Sequence, residues 1–571
     1  MQLQSLQELD LSYNQLTMLP QAFGNLQSLQ ILGLQGNQLK ELPTSFGYLQ
    51  SLQNLRLDHN PFNTFPNPLL ELKSLQELGL SQTQIKMLPK SFGSLTLLFR
   101  LDLGFNQLEE VPESFGQLLS LQKLRLSRNK LKALPDSFGR LSSLQRLWLD
   151  SNPLRTLPEP ILNLKSLKNL NLGDTQLKEL PKSFGNFPML QSLFLAGNQL
   201  KNLPESFGQL KSLEALSLKN NQLENLPESI CELESLRDLS LENNQLRGLP
   251  ECFGRLTSLQ VLNLRYNTLA VLPESFGRLM SLQKLLFGRN PFETLPESLA
   301  ELQSLREFSS PFCNLKTLPK SFGNLVSLTQ LDLSENQLQT LPESFGHLKS
   351  LSFLNLDSNK LKNLPESFGR LKSLIQLQLQ SNQLQALPES FGGLISLIQL
   401  YLQSNQLHTL PESFMQLPSL QELRLDNNQF NVLPESISGP KSLQRLGLGG
   451  NRLSTLPESI GQLQSLKDLW IGYNQLEMLP ESVKQLQALE RLDLSVNKLT
   501  VLPDSIGQLK SLVFLNLTSN QLSRLPKSLL DLPALQRLHI KDNPLSTDAK
   551  ESILQLRDKQ GNRGIWFQLS F

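Results

Sequence analysis

Residues 374–396 read LIQLQLQSNQLQALPESFGGLIS, and this 23-residue stretch recurs with small changes along most of the 571-residue chain. The leucine that opens it returns every 23 residues from Leu6 to Leu535 without insertion or deletion, which gives 24 copies. A fixed period between about 20 and 50 residues is typical of solenoids, in which each repeat buries its apolar side chains against its neighbours. The sequence therefore predicts one elongated solenoid instead of the several globular domains that this length would otherwise suggest.

Each copy begins with a strand pattern. In the quoted stretch Leu377 and Leu379 alternate with Gln376, Gln378 and Gln380, and this period of two is typical of a strand with one buried face. Because the copies are stacked, we expect the strands to lie side by side in one continuous parallel sheet. The leucines should face the core, and the glutamine positions should form an open, concave face.

Asparagine fills the ninth position of the repeat, Asn382 in the quoted copy, in 21 of the 24 copies. Its amide can donate and accept hydrogen bonds, so it can satisfy backbone groups of its own turn and of the adjacent turn. A general preference for polar turn residues would also place Ser, Asp and Gly there, and they do not occur. The pattern predicts an asparagine ladder, and replacing Asn382 by alanine is expected to cost about 1–3 kcal/mol.

The second half of the copy carries the segment LPESFG, Leu387–Gly392. Pro388 fixes its own backbone angle and favours extended structure in the residue before it, and the glutamate that follows suits the start of a helical turn. Phe391 and Leu394 should be buried beneath this turn. The segment is too short for a long helix, so single helical turns are predicted on the convex side.

The consensus LxxLxLxxNxLxxLPxxFxxLxx resembles the leucine-rich repeat, and the resemblance covers nearly the whole chain. The 23-residue length with LPxS(F/I)GxL is similar to the intracellular Ras-group and Scribble-like class and to its bacterial relatives. The resemblance implies an α/β solenoid with a parallel sheet on the concave face and short helical turns on the convex face. It also implies protein–protein recognition, and it implies no chemistry.

The repeats divide the chain into a solenoid over residues 1–545 and a capping helix with an apolar tail over residues 546–571. Residues 1–5 match the tail of a repeat without a polar cap. This leaves three explanations, of which truncation is favoured: a missing amino-terminal segment, a truncated reading frame, or an end shielded by a partner. At the other end, Asp548 and Glu551 are expected to form a capping box. One apolar face of the helix, and then Trp566, should cover the last repeat; that face comprises Ala549, Ile553 and Leu556.

Residues 308–313, FSSPFC, depart from the strand pattern. Ser310 stands where a core leucine belongs, and a buried polar side chain needs a partner. Pro311 lies inside the strand and has no backbone N–H to donate. Phe287, one copy earlier, replaces another core leucine. We therefore expect a local bulge or a change of curvature, and an irregular seam near residues 286–313.

Charge and cysteine content limit the classes of partner and compartment. The net charge is +2 with 18% charged residues, so neither nucleic acid nor a membrane is an expected partner, and no apolar run is long enough to span a bilayer. The three cysteines, Cys231, Cys252 and Cys313, are not clustered at the ends as in disulfide-clamped extracellular relatives. No signal peptide is visible after Met1. These features favour a reducing, cytoplasmic compartment.

Partner-binding residues are expected on the outward positions of the strands. At the third position of the repeat, three consecutive copies carry Arg100, Lys123 and Arg146, and like charges on neighbouring strands destabilise a sheet unless something neutralises them. An exposed tryptophan beside an arginine cluster has the composition of an interface hot spot. The first patch is therefore predicted to comprise Arg100, Lys123, Arg125, Arg146, Trp148 and Phe194, with Arg128 alongside.

Later in the chain, the same third position alternates in sign: Glu422, Arg445, Asp468 and Arg491. This predicts a salt-bridge ladder that is structural and weak in each pair. Aromatic and arginine residues lie beside it, and the second patch is predicted to comprise Tyr401, Arg424, Trp470 and Tyr473. For both patches the alternative is that surface aromatic residues occur singly without function.

The sequence contains no catalytic, cofactor-binding or metal-binding motif, and its four histidines lie many copies apart. It predicts a monomeric, non-catalytic scaffold without a cofactor that binds a protein partner of unknown identity in intracellular signalling or regulation. Two alternatives stay open. The chain could be the recognition arm of a larger enzyme, such as a GTPase or a ubiquitin-ligase effector, whose catalytic domain lies outside it. It could also be a bacterial surface adhesin.

Overall fold

The computed structural model describes residues 4–551, residue 553 and residues 566–568. The chain forms two compact units, Met1–Leu282 and Gln283–Phe571. Both are built from the same repeat, in which a three-residue strand is followed by a loop and, in most copies, by a short 3-10 turn. The predicted α/β solenoid is confirmed within each unit.

In the described part of the first unit, twelve strands form an all-parallel sheet in chain order. The register is constant, since each strand residue pairs with the residue one repeat later, as Leu9 does with Leu32. The strands are β1 (Glu8–Asp10), β2 (Ile31–Gly33), β3 (Asn54–Arg56), β4 (Glu77–Gly79), β5 (Arg100–Asp102), β6 (Lys123–Arg125), β7 (Arg146–Trp148), β8 (Asn169–Asn171), β9 (Ser192–Phe194), β10 (Ala215–Ser217), β11 (Asp238–Ser240) and β12 (Val261–Asn263).

The described part of the second unit has thirteen strands with the same parallel pairing. The last strand comes from the segment after the repeats, and its backbone pairs with the final repeat at Arg537. The strands are β13 (Lys284–Leu286), β14 (Glu307–Ser309), β15 (Gln330–Asp332), β16 (Phe353–Asn355), β17 (Gln376–Gln378), β18 (Gln399–Tyr401), β19 (Glu422–Arg424), β20 (Arg445–Gly447), β21 (Asp468–Trp470), β22 (Arg491–Asp493), β23 (Phe514–Asn516), β24 (Arg537–His539) and β25 (Trp566–Gln568).

The LPESFG segments form 3-10 turns, which confirms the predicted single helical turns. Pro388 is extended, with φ −66° and ψ 152°, and its carbonyl accepts the N–H of Phe391 at 3.0 Å. The turns of the first unit are Gln21–Asn25, Thr44–Tyr48, Asn67–Glu71, Phe92–Ser94, Glu113–Gln117, Asp136–Arg140, Glu159–Asn163, Glu205–Gln209, Glu228–Glu232, Phe253–Arg255 and Glu274–Arg278. Those of the second are Glu297–Glu301, Phe322–Asn324, Glu343–His347, Glu366–Arg370, Glu389–Gly393, Glu412–Gln416, Glu435–Ser438, Glu458–Gln462, Glu481–Gln485, Asp504–Gln508 and Lys527–Asp531.

The core of each unit is a stack of identical side chains. Leu377 and Leu379 are fully buried, as the alternation predicts. Phenylalanines of consecutive turns stack face to face beside the leucines, and the ring centroids of Phe368 and Phe391 lie 6.3 Å apart. No single repeat could bury these side chains, so stability comes from neighbouring repeats.

The asparagine ladder is confirmed. The Nδ2 group of Asn382 donates to the backbone oxygens of Leu379 at 3.1 Å and of Leu356, one repeat earlier, at 2.9 Å. Its Oδ1 accepts the N–H of Leu361 at 3.0 Å. Each asparagine therefore joins its own turn to the preceding one.

The bulge expected at Pro311 does not form. Strand β14 keeps the regular register with β13 and β15. In this repeat the backbone N–H groups on either side of the proline make the hydrogen bonds to the next repeat. The N–H of Ser310 donates to the backbone oxygen of Asp332 at 2.8 Å, and the N–H of Phe312 donates to that of Ser334 at 3.2 Å. The seventh position of the repeat, where Pro311 stands, is not a ladder donor in regular copies, so proline removes no bond there.

The buried Ser310 has a partner, because its Oγ lies 3.3 Å from Sγ of Cys313. Aromatic rings fill the volume that a leucine would occupy: Phe287 packs edge-on against Phe308, with centroids 5.8 Å apart, and against Phe292 at 5.3 Å. The irregularity is therefore one of core composition, while the strands stay regular. The predicted seam in curvature remains a prediction.

The carboxyl-terminal helix begins at residue 547, two residues earlier than the expected capping box of Asp548 and Glu551 requires, so that capping box does not form. The hydroxyl of Ser546 accepts the N–H of Ala549 at 3.3 Å, so Ser546 is the N-cap and Asp548 lies in the first turn. Ala549 and Ile553 are buried, as predicted. The expectations for the side chains of Leu556 and Trp566 lie outside the described residues.

Cys231 and Cys252 form a disulfide between consecutive repeats, which runs against the reducing compartment expected from the sparse cysteines. The two positions are neighbours throughout the solenoid: in a regular pair, a Cβ built on Gly208 would lie 2.8 Å from the Cβ of Ser229. The cysteines occupy this diagonal pair, 21 residues apart, and not the 23-residue spacing of the repeat. Cys313 is buried and free.

Candidate functional site

The first patch lies on the exposed face of strands β5–β9. The constant register places Arg100, Lys123 and Arg146 directly opposite one another on β5, β6 and β7. It places Arg125 opposite Trp148 on the next pair of positions along the strands. These five side chains are therefore brought together, as the sequence predicted.

Carboxylates neutralise only part of this charge. Nη1 of Arg100 lies 3.8 Å from Glu77, and Nη1 of Arg125 lies 3.7 Å from Asp102, with all four side chains partly exposed. Within the described residues, no carboxylate lies within 4.0 Å of Lys123 or Arg146. Contacts this long and this exposed contribute little, so the row keeps most of its positive charge.

Phe105 is a member of the site that sequence reasoning missed. The guanidinium of Arg125 lies 5.1 Å from the centre of its ring, and that of Arg128 lies 5.0 Å away. Cation–π contacts of this kind hold the two arginines in place. Phe105 occupies the eighth position of its repeat, directly after the strand, so reading that position across the copies could have found it.

Phe194 is less closely associated with the rest of the first patch. It lies on β9 and is 40% exposed, but Asn171 on β8 separates it from Trp148. The amide of Asn171 donates to Asp150 at 3.0 Å, and the hydroxyl of Ser127 donates to the same carboxylate at 2.6 Å. Asp150 is thus occupied by neutral donors and does not neutralise the arginines.

Two grooves open on this face. One, of about 550 Å³, is lined by the cations of the first patch and Trp148. The other, of about 380 Å³, shares Arg100 and Arg125 and extends towards β3, where it meets Arg56 and Asp58. Burial raises the pKa of Asp58, although the N–H of Ser81 donates to its carboxylate at 2.8 Å and opposes the shift.

The charged row near the second patch is internally paired. Nη2 of Arg445 lies 2.7 Å from the carboxylate of Glu422, and Nε of Arg491 lies 2.5 Å from that of Asp468. The two acidic side chains are buried. The alternating charges therefore form two separate ion pairs, and in the described residues no ion pair joins Arg445 to Asp468 into a continuous ladder. The hydroxyl of Tyr401 donates to Glu422 at 3.1 Å, and burial together with this carboxylate raises the pKa of the tyrosine.

The structure brings together three of the four residues of the second patch, since Tyr401 lies opposite Arg424 on adjacent strands and Arg424 reaches Trp470. Arg424 binds Asp426 at 2.8 Å and stacks over the ring of Trp470 at 4.9 Å. Gly447 lies between them in the sheet, and a Cβ there would meet Nε of Arg424 at 2.4 Å, so glycine makes this contact possible. Tyr473 projects from the following loop and is 67% exposed.

An acidic group with a shifted pKa lies on the face of the second unit. Burial raises the pKa of Asp357 to about 7, and the charges of Asp332 and Glu335 add to the shift. The N–H of Gln380 donates to its carboxylate at 2.9 Å and opposes it. Asp357 is therefore half ionised near neutral pH.

One group of possible metal ligands lies within the described residues: donor atoms of Glu228, Cys231 and Cys252 come within 4.8 Å of one another. The two sulfur atoms are joined in the disulfide, so they offer no thiolate to a metal ion. The described residues also include no helix long and apolar enough to cross a membrane.

Family models of repeats match most of the chain. The model described as leucine-rich repeat region matches residues 1–79, 71–156 and 225–313. A model described as leucine rich repeat matches residues 203–246, 312–361, 362–407, 387–430, 408–453, 441–499, 464–522 and 487–545, and a related one matches 189–210. A search of curated proteins gives no match.

Solved structures with the same architecture come from bacteria and plants. A leucine-rich-repeat protein of Leptospira interrogans is 36% identical over 73% of this chain and 99% of that chain, with a TM-score of 0.57. The plant peptide hormone receptor RGFR1, in complex with RGF2, is 30% identical over 95% of each chain, with a TM-score of 0.69. The Arabidopsis receptor kinase HAESA, in complex with the peptide hormone IDA and the co-receptor SERK1, is 27% identical over 95% of this chain and 87% of that chain, with a TM-score of 0.62.

Proposed function

Because the chain belongs to the leucine-rich-repeat family, we propose that it is a non-catalytic, monomeric scaffold that binds a protein or peptide partner on the exposed face of its sheet. The proposal is supported by two similar structures, the plant peptide hormone receptor RGFR1 in complex with RGF2 and the receptor kinase HAESA in complex with the peptide hormone IDA. The binding residues are those of the two patches, and the first patch is the principal one.

The observation that carries the proposal is the row Arg100, Lys123 and Arg146 beside Trp148. Three cations on adjacent strands repel one another in the free protein, and a bound partner relieves this repulsion. An arginine cluster around a half-buried tryptophan is also the composition that interface hot spots favour. The second patch contributes aromatic surface through Tyr473, while its arginine is already held by Trp470.

The test is a pull-down from cells that produce the protein, comparing the full chain with the variant Arg125→Ala/Trp148→Ala. We expect the variant to lose proteins that the wild type retains, with nearly the same melting temperature, because both side chains lie on the surface of the sheet. Lys130→Ala/Lys132→Ala is the matched control, since these exposed lysines lie in the loop of the same repeat. Retained binding together with a large loss of stability would show that the patch is structural.

The compartment is a separate question, and the disulfide bears on it. Intracellular signalling was the expectation from sequence, but a disulfide such as Cys231–Cys252 persists mainly in oxidising compartments. This favours a second candidate function, a recognition protein at the cell surface or outside the cell. Alkylation of free thiols in protein that is taken directly from its native cells and denatured without reductant distinguishes the two: one reactive cysteine supports the second candidate, and three support the cytoplasm.

A further inference from the structure

The charge of the first patch points to the chemistry of its partner. Across the third, fifth, seventh and eighth positions of the repeats that contain β5–β7, five side chains are cationic: Arg100, Lys123, Arg125, Arg128 and Arg146. The same positions carry two carboxylates, Asp102 and Asp150. The whole chain has a net charge of only +2, so this excess is local to the patch.

The carboxylates present leave most of these cations unmatched. Asp102 meets Arg125 only at 3.7 Å, and Asp150 accepts its two hydrogen bonds from the neutral Ser127 and Asn171. In the described chain, Lys123 and Arg146 have no ion pair. The surface therefore offers Lys123 and Arg146 as charged donors without a paired carboxylate, beside Arg100 and Arg125, whose ion pairs with Glu77 and Asp102 are long.

The second unit shows how the same sheet position is arranged when it is internally neutral. At the third position of β19–β22 the charges alternate, and Arg445 lies 2.7 Å from a carboxylate that is only 9% exposed. The first patch replaces this alternation with three cations in succession. Since the fold accommodates alternating charges at this position, the uniform sign in β5–β7 is a property of the patch and not of the repeat.

Some of the cations are also held ready for a ligand. Arg125 and Arg128 both stack on Phe105, which reduces the side-chain freedom that binding would otherwise remove. Of these two arginines, Arg125 lines the groove of about 550 Å³, together with the half-buried Trp148. The groove thus combines one guanidinium held by a ring with an aromatic wall.

We propose that the first patch recognises an acidic, extended peptide segment that crosses the strands, with Asp or Glu side chains meeting Arg100, Lys123 and Arg146 and an apolar side chain packing on Trp148. The proposal rests on the proposed function and adds the chemical class of the partner. Neighbouring strands lie about 4.8 Å apart. A peptide in the extended polyproline II conformation advances about 3.1 Å per residue and brings every third side chain to the same face. Carboxylates three residues apart therefore match the two-strand separation of Arg100 and Arg146, and Lys123 lies between them.

The test uses the full chain and fluorescence anisotropy of a labelled peptide made of repeated Glu-Gly-Gly triplets with one tryptophan. We expect the peptide to bind, its version with Gln in place of Glu to bind about tenfold more weakly or worse, and affinity to fall as salt is raised from about 50 to about 300 mM. Lys123→Glu/Arg146→Glu should reduce affinity for the acidic peptide by about tenfold or more. Lys130→Glu/Lys132→Glu, which changes the net charge equally in the same repeat, should change it by less than about twofold.

Three results would overturn the proposal: equal binding of the Glu and Gln peptides, equal loss in the two charge-reversal variants, or tighter binding of a labelled oligouridine than of the acidic peptide through Lys123 and Arg146. Circular dichroism of both variants establishes that each is folded. If the acidic peptide fails but the pull-down still depends on Arg125 and Trp148, only the assignment of an acidic partner falls. If the pull-down dependence also disappears, the proposed function falls with it.

Discussion

Replacing Asn382 by alanine removes one complete step of the asparagine ladder. In the wild type its amide donates to the carbonyls of Leu356 and Leu379 and accepts the N–H of Leu361, at 2.9, 3.1 and 3.0 Å. The side chain is 7% exposed, so water does not replace these bonds without rearrangement of the turn. Alanine therefore leaves the N–H of Leu361 without its acceptor. The carbonyls of Leu356 and Leu379 each lose one of two donors and keep the amides of Asn359 and Asn405.

The magnitude follows from this count. A net hydrogen bond contributes about 1 kcal/mol, and a buried group left unpaired costs about 1–3 kcal/mol. One N–H left unpaired and two carbonyls that each lose one of two donors, partly offset by water that enters the opened turn, give an expected destabilisation of about 2–3 kcal/mol. The free energy of local opening should fall by this amount, which corresponds to amide exchange about 30- to 150-fold faster.

Hydrogen exchange followed by mass spectrometry is the appropriate assay, because it reads the repeat itself and not the unfolding of the whole solenoid. The peptide that contains Leu361 should show the increase, and peptides several repeats away should not. Gln383→Ala is the control, since this neighbouring side chain makes no hydrogen bond within the described residues. Exchange in Asn382→Ala as slow as in that control would refute the assignment of the ladder as a stabilising element.

Asn382→Thr provides an intermediate point. The chain itself places threonine at the ladder position in Thr83, whose hydroxyl donates to Leu80 at 2.8 Å and so keeps one of the bonds. The threonine variant should therefore exchange faster than wild type and more slowly than the alanine variant.

Three further predictions concern the core, the disulfide and pH. Leu377→Ala should lower the free energy of unfolding in urea by about 2–5 kcal/mol, since the side chain is fully buried, whereas Gln376→Ala should change it by less than about 0.5 kcal/mol. Cys231→Ser opens a loop closed by residues 21 apart and should cost about 3 kcal/mol in the same assay; a dithiol reductant should then cause no further loss, as it would in wild type. Because burial raises the pKa of Asp357 from 3.8 to about 7, its contribution to stability is complete below pH 3.8 and is lost as the pH rises through about 7. Asp357→Asn should remove that part of the pH dependence, and identical unfolding midpoints of variant and wild type from pH 4 to 8 would contradict it.

Sequence periodicity was sufficient for the repeating architecture because every copy buries the same positions. The alternation around Leu377 predicted the strand, the segment after Pro388 predicted the 3-10 turn, and the recurrence of Asn382 predicted the ladder. A constant register also made the neighbours of each outward residue predictable, so Arg100, Lys123 and Arg146 are adjacent as expected.

The misses come from contacts that do not follow the repeat. Cys231 and Cys252 meet diagonally, so comparing equivalent positions could not pair them. Phe105 joins the first patch from the loop after the strand, at the same repeat position as Arg128 and Tyr473, and its contact with Arg125 is visible only in the structure. The prediction of a bulge at Pro311 was wrong for a different reason. Only the hydrogen bonds of the structure show that the backbone N–H at this position does not take part in the ladder between strands.

The seventh residue of the repeat has a consequence for how such a protein can change. Its backbone N–H makes no hydrogen bond in the ladder between strands. It can therefore donate to a side chain, as the N–H of Ser81 does to Asp58 and that of Gln380 does to Asp357. It can also be absent, as in Pro311. Substitutions at this position change the side chains on the surface and leave intact the hydrogen bonds between consecutive repeats. The positions of the repeat that stabilise the fold are thus different from this surface position, so binding specificity can evolve while stability is kept.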